Sequence, residues 1–222
     1  MLELRGLTKS YPTRHGRRYV FRDLSFTFPQ GANIGLIGRN GAGKSTLLRL
    51  LGGIDTPDRG EVRTDARISF PVALGGGFLP ALTARENVSF VARIHGFHGK
   101  DLRRLVRYVR DFAEIGDYFD LPMESYSSGM RSRVTFGMSM AFDFDYYLID
   151  EVMAVGDAQF KAKSKALLLE KLQHANLILT SHSMGDIRQF CNVVVHVDNG
   201  RVTVYEDVEA GIRAYQGLLA NP

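Results

Sequence analysis

The stretch Gly38-Arg39-Asn40-Gly41-Ala42-Gly43-Lys44-Ser45-Thr46 decides the fold. Its glycines allow a tight turn in which successive backbone amides converge on one anion. Lys44 adds a mobile positive charge, and the Ser45 hydroxyl is the kind of hard oxygen that binds Mg²⁺. The apolar run 34–37 before it is typical of a buried central strand, and the stretch 45–51 after it is typical of a helix. The sequence therefore predicts a phosphate-binding loop that joins a central strand to the N-terminus of a helix.

A second apolar run, residues 146–149, ends in two adjacent carboxylates, Asp150 and Glu151. Hydrolysis at a phosphate loop requires a second strand that ends in carboxylates. Ligand sites in open α/β sheets lie beyond the carboxyl ends of the strands, which is where this pair is expected. Adjacent side chains point to opposite sides of a strand, so the two carboxylates cannot share a role. We predict that Asp150 reaches the Mg²⁺ shell through water and that Glu151 polarises the attacking water. The alternative is that the acidic pair only begins a helix.

The N-terminal part of the chain has the pattern of β-strands. Residues 2–5 and 19–22 are predicted to pair as antiparallel strands around a turn at 12–18, with a further strand at 24–28.

Helix-period patterns fill the middle of the chain, and a second α/β section follows. There the residues predict a helix at 158–171, a strand at 177–180 and a tight hairpin at Asp198-Asn199-Gly200. We therefore predict one domain over residues 1–222, an α/β core interrupted by a helical insert at about 85–140.

The composition excludes several classes of protein. A chain of 222 residues with 45% hydrophobic and 23% charged residues fits one soluble globular domain. No uninterrupted apolar run approaches the roughly 20 residues that cross a bilayer. The single cysteine, Cys191, cannot form an internal disulfide, which agrees with a reducing compartment. With no signal-like start and no spanning run, we expect a soluble, cytoplasmic protein. The net charge of +4 is mild, so we expect no specific nucleic-acid partner.

A serine-rich turn precedes the strand that ends at Asp150. Ser127, Ser128 and Gly129 open an amphipathic stretch that continues to Phe142. Small residues at the start of a helix leave its first amides exposed, which makes a second anion site. A Ser-Ser-Gly turn that only caps a helix is common, so this string is weak on its own.

The order of these motifs resembles that of the ATP-binding-cassette (ABC) ATPases over essentially the whole chain. The resemblance implies an α/β fold with a P-loop NTPase core, a mixed sheet, an antiparallel β-subdomain and a helical insert. It implies that residues Gly38 to Thr46 bind ATP with Mg²⁺, and that two copies of the chain sandwich the nucleotides as a homodimer. Lys44, Glu151 and His182 would carry the chemistry.

Three further motifs carry the resemblance. Tyr126-Ser127-Ser128-Gly129-Met130 resembles the family's signature motif, which implies that Ser127 contacts the γ-phosphate bound to the other subunit. Ala154-Val155-Gly156-Asp157 resembles the loop along the dimer interface, which implies a role for Asp157 there. His182 resembles the switch histidine that touches the γ-phosphate, although a lone histidine at a strand end is more commonly structural.

An aromatic ring that stacks on adenine is also implied by the resemblance. Tyr11 stands at the position of that ring, and Tyr19 is the alternative. An exposed tyrosine before a proline turn needs no function, so the role of Tyr11 rests on the resemblance alone.

The segment Phe78 to Asn87, with Tyr-Ser-Ser-Gly-Met and Asp-Glu-Val-x-Ala-Val-Gly-Asp, resembles the ATPases of capsular-polysaccharide exporters. O-antigen and teichoic-acid exporters share much of this pattern. Some of those ATPases carry a C-terminal sugar-binding domain, and this sequence, which ends at Pro222, resembles the short capsule type. The resemblance implies a peripheral protein on the cytoplasmic face of the inner membrane, partnered by an integral membrane permease. The alternatives are another cargo, such as O-antigen or teichoic acid, or a P-loop ATPase that serves no transporter.

One position departs from the family pattern. A glutamine that binds Mg²⁺ is expected near Leu74, but no glutamine occurs between Gln30 and Gln159. On the protein side, Mg²⁺ would then have only Ser45 and, through water, Asp150.

A basic stretch lies inside the predicted insert. Residues 93 to 110 contain one carboxylate, Asp101, and six cations, namely Arg93, Lys100, Arg103, Arg104, Arg107 and Arg110. We hypothesise that this stretch contacts the membrane partner or anionic lipid headgroups. The alternative is an ordinary solvated helix face.

Overall fold

The computed structural model of this chain describes residues 1–71, 78–150 and 157–220. They form two compact units. The first contains residues 1–71, 144–150 and 174–220, and the second contains residues 78–143 and 157–173. The first unit carries the phosphate loop and two β-sheets, and the second is helical. No helix in these described ranges combines the length and the hydropathy needed to cross a lipid bilayer.

The smaller sheet of the first unit is antiparallel and has the order β2-β1-β4. With strands numbered in chain order, β1 is Leu2–Thr13, β2 is Gly16–Thr27 and β4 is Arg59–Thr64. The predicted antiparallel pairing is confirmed, but the predicted turn over 12–18 is too long, because Pro12 pairs with Arg17 and the ladder continues to Thr13 and Gly16. The predicted break before residue 24 is wrong too. Asp23 adopts a φ of 50° where the register shifts, in a β-bulge that lets β2 continue as one strand.

The larger sheet has the order β5-β6-β3-β7-β8. Its strands are β3 at Ile34–Ile37, β5 at Tyr146–Asp150, β6 at Asn176–Thr180, β7 at Val193–Asp198 and β8 at Arg201–Tyr205. The first four strands in this order are parallel, so their carboxyl ends meet at one edge of the sheet. Every residue of β3 and of β5 is buried, which confirms the two predicted central strands.

Each helix of the first unit follows a strand of the larger sheet in the chain. They are α1 at Lys44–Leu51, α6 at Met184–Phe190 and α7 at Val208–Ala220. The β7–β8 hairpin is confirmed: Asn199 and Gly200 have φ values of 47° and 77°, as a two-residue turn of this type requires.

The second unit packs four α-helices around an aromatic centre. These helices are α2 at Ala84–Ile94, α3 at Gly99–Ala113, α4 at Ser128–Met140 and α5 at Ala158–Lys171, with short 3-10 helices at Gly116–Asp120 and Met123–Ser125. The ring of Phe112 lies 5.7 Å from that of Phe136 and 5.4 Å from that of Phe160, which joins α3, α4 and α5. Helix α5, predicted at 158–171, thus belongs to the same unit as the helices of the predicted insert.

Candidate active site

The phosphate loop, residues 38–43, joins β3 to α1 at the carboxyl edge of the parallel strands. Gly43 has a φ of 110°, and a Cβ there would lie 2.6 Å from Cγ1 of Val20. Gly38 has a φ of 155°, and a Cβ there would lie 2.2 Å from the carbonyl oxygen of Val197. Both positions require glycine, because a side chain would strain the backbone and collide with β2 or β7. The predicted tight loop is confirmed.

Lys44 holds a positive charge inside this loop. Its side chain is buried, and Nζ donates hydrogen bonds to the carbonyl oxygens of Gly38, at 2.8 Å, and Arg39, at 3.2 Å. No described side chain caps the first turn of α1, whose N-terminus carries the positive end of the helix dipole. The ammonium group and the helix end together favour binding of phosphate groups at this loop.

A cleft of about 470 Å³ opens over the loop, a volume within the range of small-molecule sites. Its lining consists of Tyr11, Thr13, Arg18, Val20, Asn40, Gly41, Gly43, Lys44, Ser45 and Thr46. Three of these residues, Thr13, Arg18 and Val20, were not among the predicted site residues. They lie on the hairpin of β1 and β2. Their place beside the loop depends on the register between these strands, which was not predicted correctly from the sequence.

Tyr11 is held in the wall of this cleft by a polar network. Its hydroxyl donates to Oδ2 of Asp55 at 2.7 Å, and Nζ of Lys9 lies 2.5 Å from Oδ1 of the same carboxylate. Burial, reinforced by the hydrogen bond to Asp55, raises the pKa of the Tyr11 hydroxyl. Burial also acts to raise the pKa of Asp55, but the hydrogen bonds from Lys9 and Tyr11 outweigh it and the pKa is lowered. The network fixes a neutral tyrosine next to an ionised carboxylate.

Tyr19, the alternative aromatic residue, does not line this cleft. The guanidinium of Arg22 lies 3.9 Å from the centre of its ring, and both side chains line a neighbouring cavity. That cavity also reaches Gly41 and Ala42 of the loop, but among the described residues Lys44, Ser45 and Thr46 line the cleft of Tyr11 and not that of Tyr19.

Asp150 ends β5 at the same edge of the sheet. Its side chain is buried, and the hydroxyl of Thr180, the last residue of β6, donates a hydrogen bond to Oδ1. Strand β6 lies between β5 and β3, so one strand separates the Asp150 carboxylate from the start of the phosphate loop at the end of β3. Its oxygens and the Ser45 hydroxyl are the hard donors that Mg²⁺ prefers.

His182 lies in the turn between β6 and α6, two residues beyond Thr180, and is exposed. The turn is held by Ser181, whose hydroxyl donates to Asp186, and by Ser183, which caps α6. His182 is thus at the carboxyl edge of the parallel strands, as predicted.

In the second unit, the predicted signature turn is the start of α4. Ser127 is the N-cap, and its hydroxyl accepts a hydrogen bond from the amide of Met130 at 3.2 Å. Ser128 and Gly129 form the first turn, and Ser127 and Ser128 are exposed. A Cβ on Gly129 would approach only Ser127, at 3.8 Å, so this turn presents a bare backbone surface among the described residues.

Asp157 caps α5 in the same unit. Its carboxylate accepts a hydrogen bond from the amide of Phe160 at 2.8 Å and pairs with the guanidinium of Arg133 on α4 at 2.7 Å. The hydrogen bond from Phe160, together with the charge of Arg133, lowers the pKa of Asp157. Its side chain therefore has a structural role in addition to the predicted place at an interface.

Parts of the predicted site lie outside the described residues. They are Glu151, the segment 74–77 where a glutamine was expected, and residues 154–156 of the predicted interface loop.

Comparison with known proteins gives consistent results. The family model described as ABC transporter matches residues 21–154. The chain is 50% identical over 217 residues to the polysialic acid transport ATP-binding protein KpsT of Escherichia coli, covering 97% of this chain and 96% of that protein. It is 40% identical to the capsule polysaccharide export ATP-binding protein CtrD of Neisseria meningitidis, covering 98% and 100%. A solved dimeric ATP-binding cassette with bound ADP and phosphate superposes with a TM-score of 0.76 at 22% identity, over 92% of this chain and 98% of that one, which supports the fold.

Proposed function

Because this chain belongs to the ABC transporter family, we propose that it is the ATP-hydrolysing subunit of an exporter that moves a capsule-type polysaccharide out of the cell. The observation that carries this proposal is the 50% identity to a polysialic acid transport ATP-binding protein along nearly the full length of both chains. The cleft over the phosphate loop supplies the site that such a subunit needs.

O-antigen export is the second candidate cargo function. An O-antigen export ATP-binding protein of Klebsiella pneumoniae is 37% identical over 214 residues, with 87% of that protein covered. The higher identity and fuller coverage of the capsule relatives favour the capsule reading.

In the proposed reaction, Lys44 and the loop amides bind the phosphates of ATP, and the ring of Tyr11 stacks on adenine. Glu151 accepts a proton from the attacking water, and His182 contacts the γ-phosphate. Charge develops on the transferred phosphoryl group, so fixed donors placed in advance are the main source of rate acceleration.

Mg²⁺ would be held by the Ser45 hydroxyl and, through water, by Asp150. The donors fit this ion, because both are hard oxygens and Thr180 fixes the orientation of the Asp150 carboxylate. When bound, the ion neutralises charge on the β- and γ-phosphates. With the glutamine near Leu74 absent from the sequence, the protein contributes few ligands.

The active form in this proposal is a homodimer. Each nucleotide lies between the phosphate loop of one copy and the Ser127-Ser128-Gly129 turn of the other, with Asp157 near the interface. The exposed start of α4 supports this arrangement, because the positive end of the helix dipole and the small residues Ser128 and Gly129 leave room there for an anion presented by another molecule.

We place the protein on the cytoplasmic face of the membrane, bound to an integral membrane permease. Support comes from a cationic face on α3, formed by the exposed residues Lys100, Arg103, Arg104 and Arg107 at helical spacing. Within the described ranges none of these four has an ion-pair partner, whereas Arg110 contacts Asp120. The acidic residues of α3 are Asp101 and Asp111, so its five cations leave a net positive charge suited to anionic lipid headgroups.

Replacing Arg103, Arg104 and Arg107 by serine should weaken binding to vesicles that contain phosphatidylglycerol by on the order of tenfold, because each lost charge removes attraction to the surface. Co-sedimentation at low salt measures the effect. The matched control removes three cations from the first unit, at Arg14, Arg59 and Arg63. An equal loss of vesicle binding in both triple variants would contradict a specific role for the α3 face. Unchanged binding of the Arg103, Arg104 and Arg107 variant would show that this face is only exposed to solvent.

A chromosomal Lys44→Ala substitution in the organism that encodes this chain tests the cargo assignment. The expected result is loss of polysaccharide from the cell surface with accumulation inside the cell, because synthesis continues while transport lacks its ATPase. Surface and intracellular glycan are measured separately, with Arg63→Ser as the control strain. Normal surface polysaccharide in the Lys44→Ala strain would overturn the proposed function.

A further inference from the structure

The β1–β2 hairpin places an arginine directly beside the candidate adenine ring. Arg18 on β2 pairs with Tyr11 on β1 in the antiparallel register. Side chains of directly opposed residues project from the same face of such a pair. Arg18 therefore projects from the hairpin face that carries Tyr11, and both residues line the cleft over the phosphate loop.

The guanidinium of Arg18 reaches the phosphate loop itself. Its Nη2 atom would lie 3.4 Å from a Cβ built on Gly41, which puts it against the backbone of the loop. Gly41 has a φ of 78° and lies between the two glycines that shape the turn, Gly38 and Gly43. The guanidinium is thus next to the amides that receive the phosphates.

The charge of Arg18 has no counter-charge among the described residues. In the described part of the chain it makes no ion pair and no hydrogen bond, whereas its neighbour Arg17 contacts Asp58 at 3.2 Å. None of the described residues that line the cleft is acidic. A forked, permanently charged donor facing a phosphate loop has the geometry and the charge to bind phosphate oxygens.

We propose that Arg18 is a further nucleotide-binding residue, whose guanidinium contacts phosphate oxygens of ATP from the β1–β2 hairpin. The proposal rests on the proposed function, since it requires ATP in this cleft. Arg18 then supplies a second cation to the site, and the hairpin that carries Tyr11 binds both ends of the nucleotide.

The test compares Arg18→Gln with Arg22→Gln in the purified full chain. Arg22 is four residues along the same strand, and its guanidinium stacks on Tyr19 outside the cleft, so both variants lose one charge but only one loses the contact. Titration with fluorescent ATP and ADP should show affinity reduced on the order of tenfold for Arg18→Gln, as expected for a lost charged hydrogen bond, and by less than about twofold for Arg22→Gln. Arg18→Lys should recover part of the loss.

Adenosine, which lacks phosphates, provides the second readout. Its competition with the fluorescent nucleotide should be the same for wild type and Arg18→Gln. Equal affinities of Arg18→Gln and Arg22→Gln for ATP would overturn the proposal, and so would an equal loss for adenosine, which would indicate packing against the nucleoside. If the wild-type chain binds no ATP, the proposed function itself fails, which is a different result.

Discussion

Replacing Glu151 by glutamine is expected to lower the rate of ATP hydrolysis by about 10²- to 10⁴-fold while ATP binding is kept. Glutamine has nearly the same shape as glutamate but cannot accept the proton of the attacking water. ATP should then hold two copies together, because the bound γ-phosphate that joins them is no longer cleaved. Phosphate release under single-turnover conditions measures the first effect, and gel filtration with and without ATP measures the second.

The matched control for this prediction is Glu61→Gln, which makes the same chemical change at an exposed position on β4. It should hydrolyse ATP at the wild-type rate and elute as the wild type does. Hydrolysis by Glu151→Gln at the wild-type rate would show that another group is the base. A monomer in the presence of ATP would argue against the sandwich.

Removing the ammonium of Lys44 should have the second large effect. Lys44→Ala is expected to lose at least about 10²-fold in hydrolysis, because a fixed cation at the developing charge is removed. Hydrogen bonds from Lys44 to the carbonyl oxygens of Gly38 and Arg39 are removed as well, so the loop loses contacts that hold its shape. Steady-state ATPase assays and nucleotide titration measure the loss, with thermal unfolding to show that the fold is kept.

A mixing experiment extends the Lys44 prediction to the homodimer. Ser127→Arg should also be inactive, because the large side chain blocks the turn at the start of α4. If each site combines the loop of one copy with the turn of the other, a mixed dimer of the two variants has one intact site. Random mixing should then restore about a quarter of the wild-type activity, since half of the dimers are mixed and each carries half of the sites. If no activity returns at any ratio, either the sites are not shared or both sites of a dimer must be intact. A mixture of wild type and Lys44→Ala distinguishes these two explanations, because its mixed dimers carry one intact site.

Local sequence signals were sufficient to predict the central part of the fold. The buried strand β3, the glycine loop and α1 follow from residue types over a short stretch, because glycine conformation and helix formation are decided locally. The hairpin at Asn199-Gly200 is of the same kind, since its turn requires two residues with positive φ.

The β1–β2 hairpin could not be predicted in the same way. Pro12 and Gly16 have turn propensity, yet they lie in strands because pairing with the facing strand outweighs it. The two-residue connection between Thr13 and Gly16 sets the register of this end of the hairpin, and the register decides that Arg18 rather than Arg17 lies opposite Tyr11. A contact between two residues on different strands depends on this three-dimensional alignment, so the pattern along the chain did not identify Arg18, Thr13 or Val20 as residues of the cleft.

The ion pair between Arg133 and Asp157 has a mechanical consequence for the proposed dimer. Arg133 lies on the second turn of α4, whose first turn is the surface offered to the other copy's nucleotide, and Asp157 begins α5 directly after residues 154–156. This ion pair links α4 to the start of α5. In the proposed dimer, a movement of the first turn of α4 toward the other copy's nucleotide is therefore expected to displace the N-terminus of α5 as well.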